Sequence, residues 1–327
     1  NVGKLRNKGF ELTLETINIK QKNFSWTSNF NIAFNSNKIV ELNYGQDDMI
    51  SFVNWDNKYK TMPAYISKKG DAAGSMYGFI YDGTYKYEDF NTSVDANGKT
   101  IYKLKDDVVR ISDDAQPGDP KYKKLSDKEG NKITDEDRTV IGNTTPKFSG
   151  GFGLNATYKG FDMSMFFNFM YDFDVLNANK IMLTTWADNK ENNFLMDIAS
   201  DKRWRNFDDM GNEIRYSPEV LAEFNKNATM WNPTSIGRPI CMSYAVEDGS
   251  FLRLNSATLG YTLPSVWTKK VGLSKVRFYV SGNNLFTLTG YSGYDPEVNI
   301  ATGLTPNIDY NRYPRSRTYT FGAQLTF

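Results

Sequence analysis

The chain has 327 residues, 39 basic and 38 acidic, with a net charge of +1, so no bulk electrostatic pull draws it to nucleic acid. It contains no histidine and one cysteine, Cys241, which excludes Ser-His and Cys-His triads, an internal disulfide and a thiolate zinc site. Mean hydropathy is −0.56 and no apolar run approaches the ~18 residues of a membrane-spanning helix, yet a transmembrane β-barrel stays open because its strands alternate apolar and polar residues.

The length allows one large all-β domain or two domains. The opening Asn1-Val2-Gly3 has neither an initiator Met nor a basic-then-apolar leader, which predicts a removed export signal or a piece of something longer. Phe10, Leu12 and Leu14 then alternate with Glu11, Thr13 and Glu15, and Ile17 and Ile19 shift the phase, which predicts a bulge near Thr16. After the polar turn Lys20–Asn23, Phe24, Trp26, Phe30, Ile32 and Phe34 face Asn, Ser and Thr residues, giving a hairpin of two long strands. Asn, Ser and Thr on that face suit a hydrated surface better than a dry core.

The periodicity fails from Asn37 to Asn143. Only Tyr77–Tyr87 and Thr100–Leu104 read as short strands there, and so long an excursion is itself a functional signal. Alternation returns over Phe148–Tyr158, turns at Lys159-Gly160 and continues as an unbroken apolar row of Phe161, Met163, Met165, Phe167, Phe169, Tyr171 and Phe173. Asp162, Ser164, Asn168 and Asp172 form the opposite face, with Phe166 and Met170 as exceptions. Such a row needs a wide apolar partner, either lipid or the second sheet of a sandwich. A second excursion, Asp174–Asp248, contains a short helix with Ser217 as N-cap and Pro218 in its first turn. Strands at Phe251–Leu263 and Lys275–Leu288 flank a turn at Pro264–Ser274, and a third excursion, Thr289–Pro314, leads to the closing strand Arg315–Phe327.

The short connections fall on one side of an antiparallel array and the long ones on the other, as in outer-membrane barrels with short periplasmic turns and long extracellular loops. Each strand runs to about a dozen residues, whereas a soluble sandwich predicts short strands at ~8–12-residue spacing. The expected fold is therefore an all-β, antiparallel transmembrane β-barrel. Its long extracellular loops are 37–143, 174–248 and 289–314, and the first two each hold an even number of spanning strands or none. The strands total an odd number where single-chain bacterial barrels have an even one, so further strands are expected before Asn1.

Asn7–Leu14 (NKGFELTL), Gly118–Tyr122 (GDPKY), Asp137–Gly142 (DRTVIG), Tyr244–Pro264, Val276–Leu288 and Gly293–Pro296 (GYDP) resemble, in order, the C-terminal portion of SusC/RagA-family TonB-dependent outer-membrane transporters. The resemblance implies that residues 1–327 are the C-terminal part of a 22-stranded, plugged barrel, with the plug and N-terminal strands absent. It implies residence in the outer membrane of a Gram-negative bacterium, amid lipid, and import of glycan or peptide oligomers without cofactors or catalysis. Implied partners are a SusD-like surface lipoprotein lid, TonB-ExbB-ExbD through the absent N-terminal part, the barrel assembly machinery, and a second copy in a dimer of SusC–SusD-like pairs. Nucleic acid is not among them. A structural or adhesin barrel and a receptor for another ligand, such as a siderophore, are the alternatives.

The loop aromatics Trp55, Tyr59, Tyr65, Tyr81, Trp186, Trp204, Trp231, Tyr291 and Tyr294 offer stacking platforms for substrate, or else loop packing and lipoprotein contact. Trp186, Trp204, Trp231, Tyr291, Tyr294 and Asp172 are the substrate-contact candidates; Asp162, Asn168 and Asp172 read equally well as hydrated wall. Tyr319, Phe321, Leu325 and Phe327 form the aromatic-ended strand that, by resemblance, the assembly machinery reads. A calcium-like loop precedes the DR-IG motif in family members. Here Lys128 and Lys132 interrupt the run Asp127, Asn131, Asp135 and Asp137, so no metal is expected.

Overall fold

The computed structural model describes residues 3–53, 60–185, 193–199, 202–235, 240–298 and 303–327. Seven long strands make one antiparallel sheet in chain order. They are β1 (Gly3–Lys20), β2 (Phe24–Leu42), β3 (Phe148–Tyr158), β4 (Phe161–Tyr171), β5 (Phe251–Thr262), β6 (Lys275–Thr289) and β7 (Thr318–Thr326). All seven were expected, and the excursions add no further strand to this sheet among the described residues. The β1–β2 register slips between Ile17 and Ile19, where the apolar phase changes. The β3–β4 hairpin turns on Lys159 and Gly160, both with positive φ (46° and 92°), the backbone of a tight turn whose twist matches the strands it joins.

Three boundaries differ from expectation. The β1–β2 ladder extends from Gly3↔Leu42 inward, well past the ~9–11 residues that cross a membrane, because the two strands support each other after the alternation has faded. The closing strand begins at Thr318 rather than Arg315. The apolar row of β4 stops at Tyr171, since Asp172 takes a left-handed backbone (φ 60°) that ends the alternation and turns Phe173 into a buried loop cluster. The connection 264–274 is also more than a turn, holding the helix Ser265–Thr268 and a 3₁₀ turn, Lys269–Val271.

The register aligns one apolar face across the sheet. Phe30↔Phe152, Phe152↔Phe167 and Phe167↔Leu254 continue into Leu254↔Phe286. Neighbouring rings stack along this face, Phe152 on Phe167 at 4.5 Å and Phe148 on Tyr171 at 5.0 Å. No element among the described residues covers it: Phe321 and Phe327 are 81% and 89% exposed. The opposite face carries Asn29, Asn31, Asn155, Asp162 and Ser164, and there Arg277 donates to Asp162 through Nε (2.9 Å) and Nη2 (2.5 Å), passing over Gly260 of β5.

Apart from Ile39, Leu42, Phe251, Leu254 and Val276, the buried apolar residues lie outside the seven strands. The long connections hold them in interlocking clusters. One joins Tyr65 and Met76 of the first connection to Leu176, Ile181 and Cys241 of the second and Ile308 of the third. Another packs Tyr85, Phe90, Tyr102 and Leu104 against Trp204 and Leu221, and a third gathers Phe79, Tyr122, Ile198 and Trp231. The region that reads as a pattern-free excursion is therefore folded, with small sheets of its own. Thr100–Leu104 is a strand as expected, while Tyr77–Tyr87 divides into Ser75–Gly78 and Tyr81–Thr84. The helix Pro218–Phe224 forms with Pro in its first turn, but Ser217 makes no side-chain cap.

This division of labour is testable. Trp231 is fully buried and donates its indole N–H to the Thr184 carbonyl at 3.1 Å. Trp231→Ala should cost about 3–5 kcal/mol, the range for emptying a buried aromatic site. Limited proteolysis during thermal melting should show the connections cut at lower temperature while the strand segments stay protected.

Candidate functional site

The long connections gather at one end of the sheet and the short ones at the other, so the folded connections form a cap over one rim. Its attachment to the polar face depends on Arg253 of β5, which is buried and donates to Asp295 at 2.6 Å while pairing with Glu297 at 3.2 Å. Glu297 also pairs with Arg315 at 3.2 Å. Asp295 is the acid of the GYDP motif, which thereby acquires a physical role: it docks the third connection onto the strands. Beside it Tyr291 donates to Asp309 at 2.7 Å, and Met170 packs on Phe173, Val175, Phe251, Tyr291 and Val298. Met170 is one of the two apolar exceptions on the polar face of β4, and it lies where the cap covers that face. The other, Phe166, leans over Gly151.

Farther out, Tyr65 donates to the Pro306 carbonyl at 2.7 Å and Asn307 donates to the Thr144 carbonyl at 2.7 Å. The third connection is thus wedged between the first two. Gly118 of the GDPKY motif has φ 89°, and a side chain there would collide with the Trp204 ring, so the glycine gives that ring its seat. Cys241 is enclosed, and burial pushes its thiol up to about 12, which leaves it an inert packing residue.

The segment Leu125–Asp137 closes around an ammonium, that of Lys124. Lys124 Nζ donates to Asp137 (3.0 Å), the Lys128 carbonyl (2.8 Å) and the Ser126 hydroxyl (3.0 Å). Burial by itself pushes the Asp137 carboxyl up, but the backbone N–H groups of Ser126, Thr134 and Leu125, with Lys124, outweigh it and hold the group well below the usual carboxylate range. Asp135 pairs with Arg138 at 2.9 Å and Lys128 pairs with Glu136. Asn131 donates to the Asp106 carbonyl at 2.9 Å. Among the described residues no cluster of acidic, histidine or cysteine side chains is arranged to hold a metal.

The substrate-contact candidates do not converge. Trp204 and Trp231 are buried: Trp231 meets Tyr81 and Tyr244 at 5.1 and 5.0 Å, and Trp204 edges a cavity at the cap surface. Tyr291 and Tyr65 are buried and hydrogen-bonded. Tyr294, at 85% exposure, presents an open ring. Asp172 stands at the rim rather than along the polar wall, 3.7 Å from Lys147, in a groove of about 590 Å³ shared with Lys8, Phe10 and Asn37. Trp55, Tyr59 and Trp186 lie outside the described residues. Tyr319, Phe321, Leu325 and Phe327 lie exposed along the apolar face of β7 and its end. Sequence reasoning passed over Arg253, Lys124 and the arginines of Lys202-Arg203-Trp204-Arg205; only the last, as a local run of basic residues, carries a visible signal.

The comparisons agree with this architecture. The TonB-dependent receptor P3 of Formosa agariphila is 33% identical over 334 residues, covering all of this chain and 29% of that protein. The TonB-dependent receptor SusC of Bacteroides thetaiotaomicron is 27% identical over 336 residues, again covering the whole chain and 27% of the relative. The chain is of the SusC/RagA type. A solved structure of the RagAB peptide importer in its closed-closed state superposes with a TM-score of 0.67 at 22% identity, over 100% of this chain and 30% of that one. A second RagAB peptide transporter structure matches with a TM-score of 0.64. No protein-family model matches. This SusC/RagA-type chain thus spans less than a third of the length of the curated relatives it matches. Those relatives are all TonB-dependent receptors.

Two outcomes follow. Arg253→Ala leaves Asp295 buried without its partner and should cost about 3–5 kcal/mol, read as hydrogen-exchange opening of 290–298 before the strands open. The Asp137 carboxyl is depressed in the folded state, so its stabilisation is complete above the unfolded value near ~4 and declines as pH falls below it. Exchange protection of 124–137 should therefore hold at pH 7 and decline below about pH 4, with added calcium changing nothing at neutral pH.

Proposed function

We propose that this chain forms part of the barrel wall and the outer loops of a TonB-driven importer in the outer membrane of a Gram-negative bacterium. In this reading the apolar face meets lipid, the polar face lines a hydrated lumen, and residues 37–143, 174–248 and 289–314 form the extracellular mouth. The cargo is a glycan or peptide oligomer, and a SusD-like lipoprotein closes the mouth from outside. TonB-ExbB-ExbD would act through a plug outside this chain, and two such pairs would associate. Tyr294 would present its ring to cargo or lid.

The observation that carries the reading is a sheet with one bare apolar face and one polar face, joined at a single end to a folded cap. An exposed apolar surface of this extent requires a partner medium, and backbone within a bilayer must be paired laterally, as it is here between neighbouring strands from β1 to β7, the outer edges of β1 and β7 having no partner strand among the described residues. The cap is held to the polar face by Arg253 and Asp295, so it stands where cargo would enter.

Isolating the native complex from outer membranes should recover the protein with a surface lipoprotein; recovery as a lone, detergent-independent monomer would contradict the proposal. Deleting Phe327, which continues the apolar row of β7, should lower the amount of assembled protein in the outer membrane several-fold. Unchanged levels would count against an assembly role for the terminal aromatic.

A further inference from the structure

The cap contains a cavity edged by Trp204, one of the substrate-contact candidates. It measures about 380 Å³ and is bordered by Phe194, Arg203, Trp204, Arg205, Phe207 and Arg215. Through Asn206, Arg215, Asn232 and Thr234 it continues into a second cavity of about 210 Å³ beneath Gln116–Asp119. Three arginines therefore border one opening, Arg205 already paired with Asp209 and Arg203 donating from Nη1 to the Ile198 carbonyl at 3.3 Å.

The hydrogen-bond bookkeeping of the lining is one-sided. The indole N–H of Trp204 is buried and has no partner, and the buried Nε–H of Arg215 has no hydrogen-bond acceptor, its nearest carboxylate oxygen, on Glu213, standing 3.7 Å away. An orphaned buried donor costs free energy until an acceptor reaches it. The carboxylates nearby are already committed. Asp208 accepts from the Met210 and Asn212 backbone N–H groups and from the Asn212 side chain, at 2.8–2.9 Å. Asp209 pairs with Arg205 at 2.8 Å, and Asp119 accepts from the Gln116 N–H at 2.9 Å. The lining thus balances its arginines with the carboxylates of Asp208, Asp209 and Asp119, whose oxygens are engaged, and leaves two donors unspent. Phe207, half exposed at the rim, adds an apolar flank.

We propose that this cleft is a recognition subsite for an anionic group, a carboxylate or sulfate, borne by the oligomer that the protein takes up. Arg203 and Arg215 supply the charge, and the Trp204 and Arg215 donors fix the orientation of the oxyanion. A planar guanidinium fork matches carboxylate and sulfate oxygens better than an ammonium does. The subsite rests on the import reading for its purpose, but its binding chemistry can be tested without transport.

The test uses detergent-purified, full-length protein and calorimetric titration with four probes: a glutamate-rich hexapeptide, its glutamine counterpart, a sulfated oligosaccharide and its desulfated form. The expected result is tighter binding of at least one acidic probe than of its neutral twin by tenfold or more, weakening with salt. Arg203→Gln with Arg215→Gln should erase that preference and leave neutral probes unchanged. Arg215→Lys, which keeps the charge but removes the Nε–H, should retain only part of it; hydrogen exchange of 202–235 confirms that each variant remains folded. A preference for the acidic peptide alone assigns carboxylate, and for the sulfated sugar alone, sulfate. Equal affinity for acidic and neutral probes, or a preference surviving in the folded double variant, overturns the subsite. An intact preference in a protein that imports none of the probes would instead remove the import reading and leave the subsite standing.

Discussion

Everything in this chain follows from a sheet that cannot bury either of its faces by itself. Lateral hydrogen bonding satisfies the backbone between neighbouring strands, leaving only the outer edges of β1 and β7 open among the described residues, but the side chains point alternately to two different media. The apolar row of Phe30, Phe152, Phe167 and Leu254 needs a non-aqueous neighbour, while Asp162 and Arg277 need water or each other. A soluble protein would close such a sheet on a second one. Here the surplus packing is displaced to the cap, where Tyr65, Trp204 and Trp231 occupy the positions that a conventional core would give to strand residues. Stability is thereby split between a wall that draws on its surroundings and a cap that draws on its own interior.

That split explains how rigidity and specificity coexist. The strands hold Arg253 at a fixed height on the polar face, and Arg253 holds Asp295. The third connection then anchors the first through Tyr65 and Pro306, and the cap becomes a surface of defined shape. Within it, Lys124 does the work that a bound cation would otherwise perform, neutralising Asp137 from inside the chain. A lysine tethered to the chain cannot leave the loop or be removed by a chelator.

The strands were legible because their information is local: the period of two over Phe148–Tyr158 or Lys275–Leu288 survives without knowledge of any neighbour. The bulge at Ile17 and the turn at Lys159-Gly160 were legible for the same reason. The cap was not, because its order is made by contacts between distant residues. Nothing near Tyr65 announces Pro306, and nothing near Gly118 announces Trp204. Whether a tryptophan packs within the loops or projects from them was not legible, because sequence records ring type and not burial. The arginine-bordered cleft escaped notice since Arg203 and Arg215 are separated by a turn that only folding closes. Asp172 was assigned to the polar wall by extending a period one residue beyond the point where its left-handed backbone ends it.

The wedge between the first and third connections has a consequence for how the molecule is made. The hydrogen bond from Tyr65 to Pro306 spans 241 residues, and the cluster around it draws side chains from all three connections. Contacts of such long range carry a large loop-closure cost, and β3 to β6 all lie in the chain between the two residues they join. A chain with one hairpin out of place would leave Tyr65, Leu176 and Ile308 without their partners.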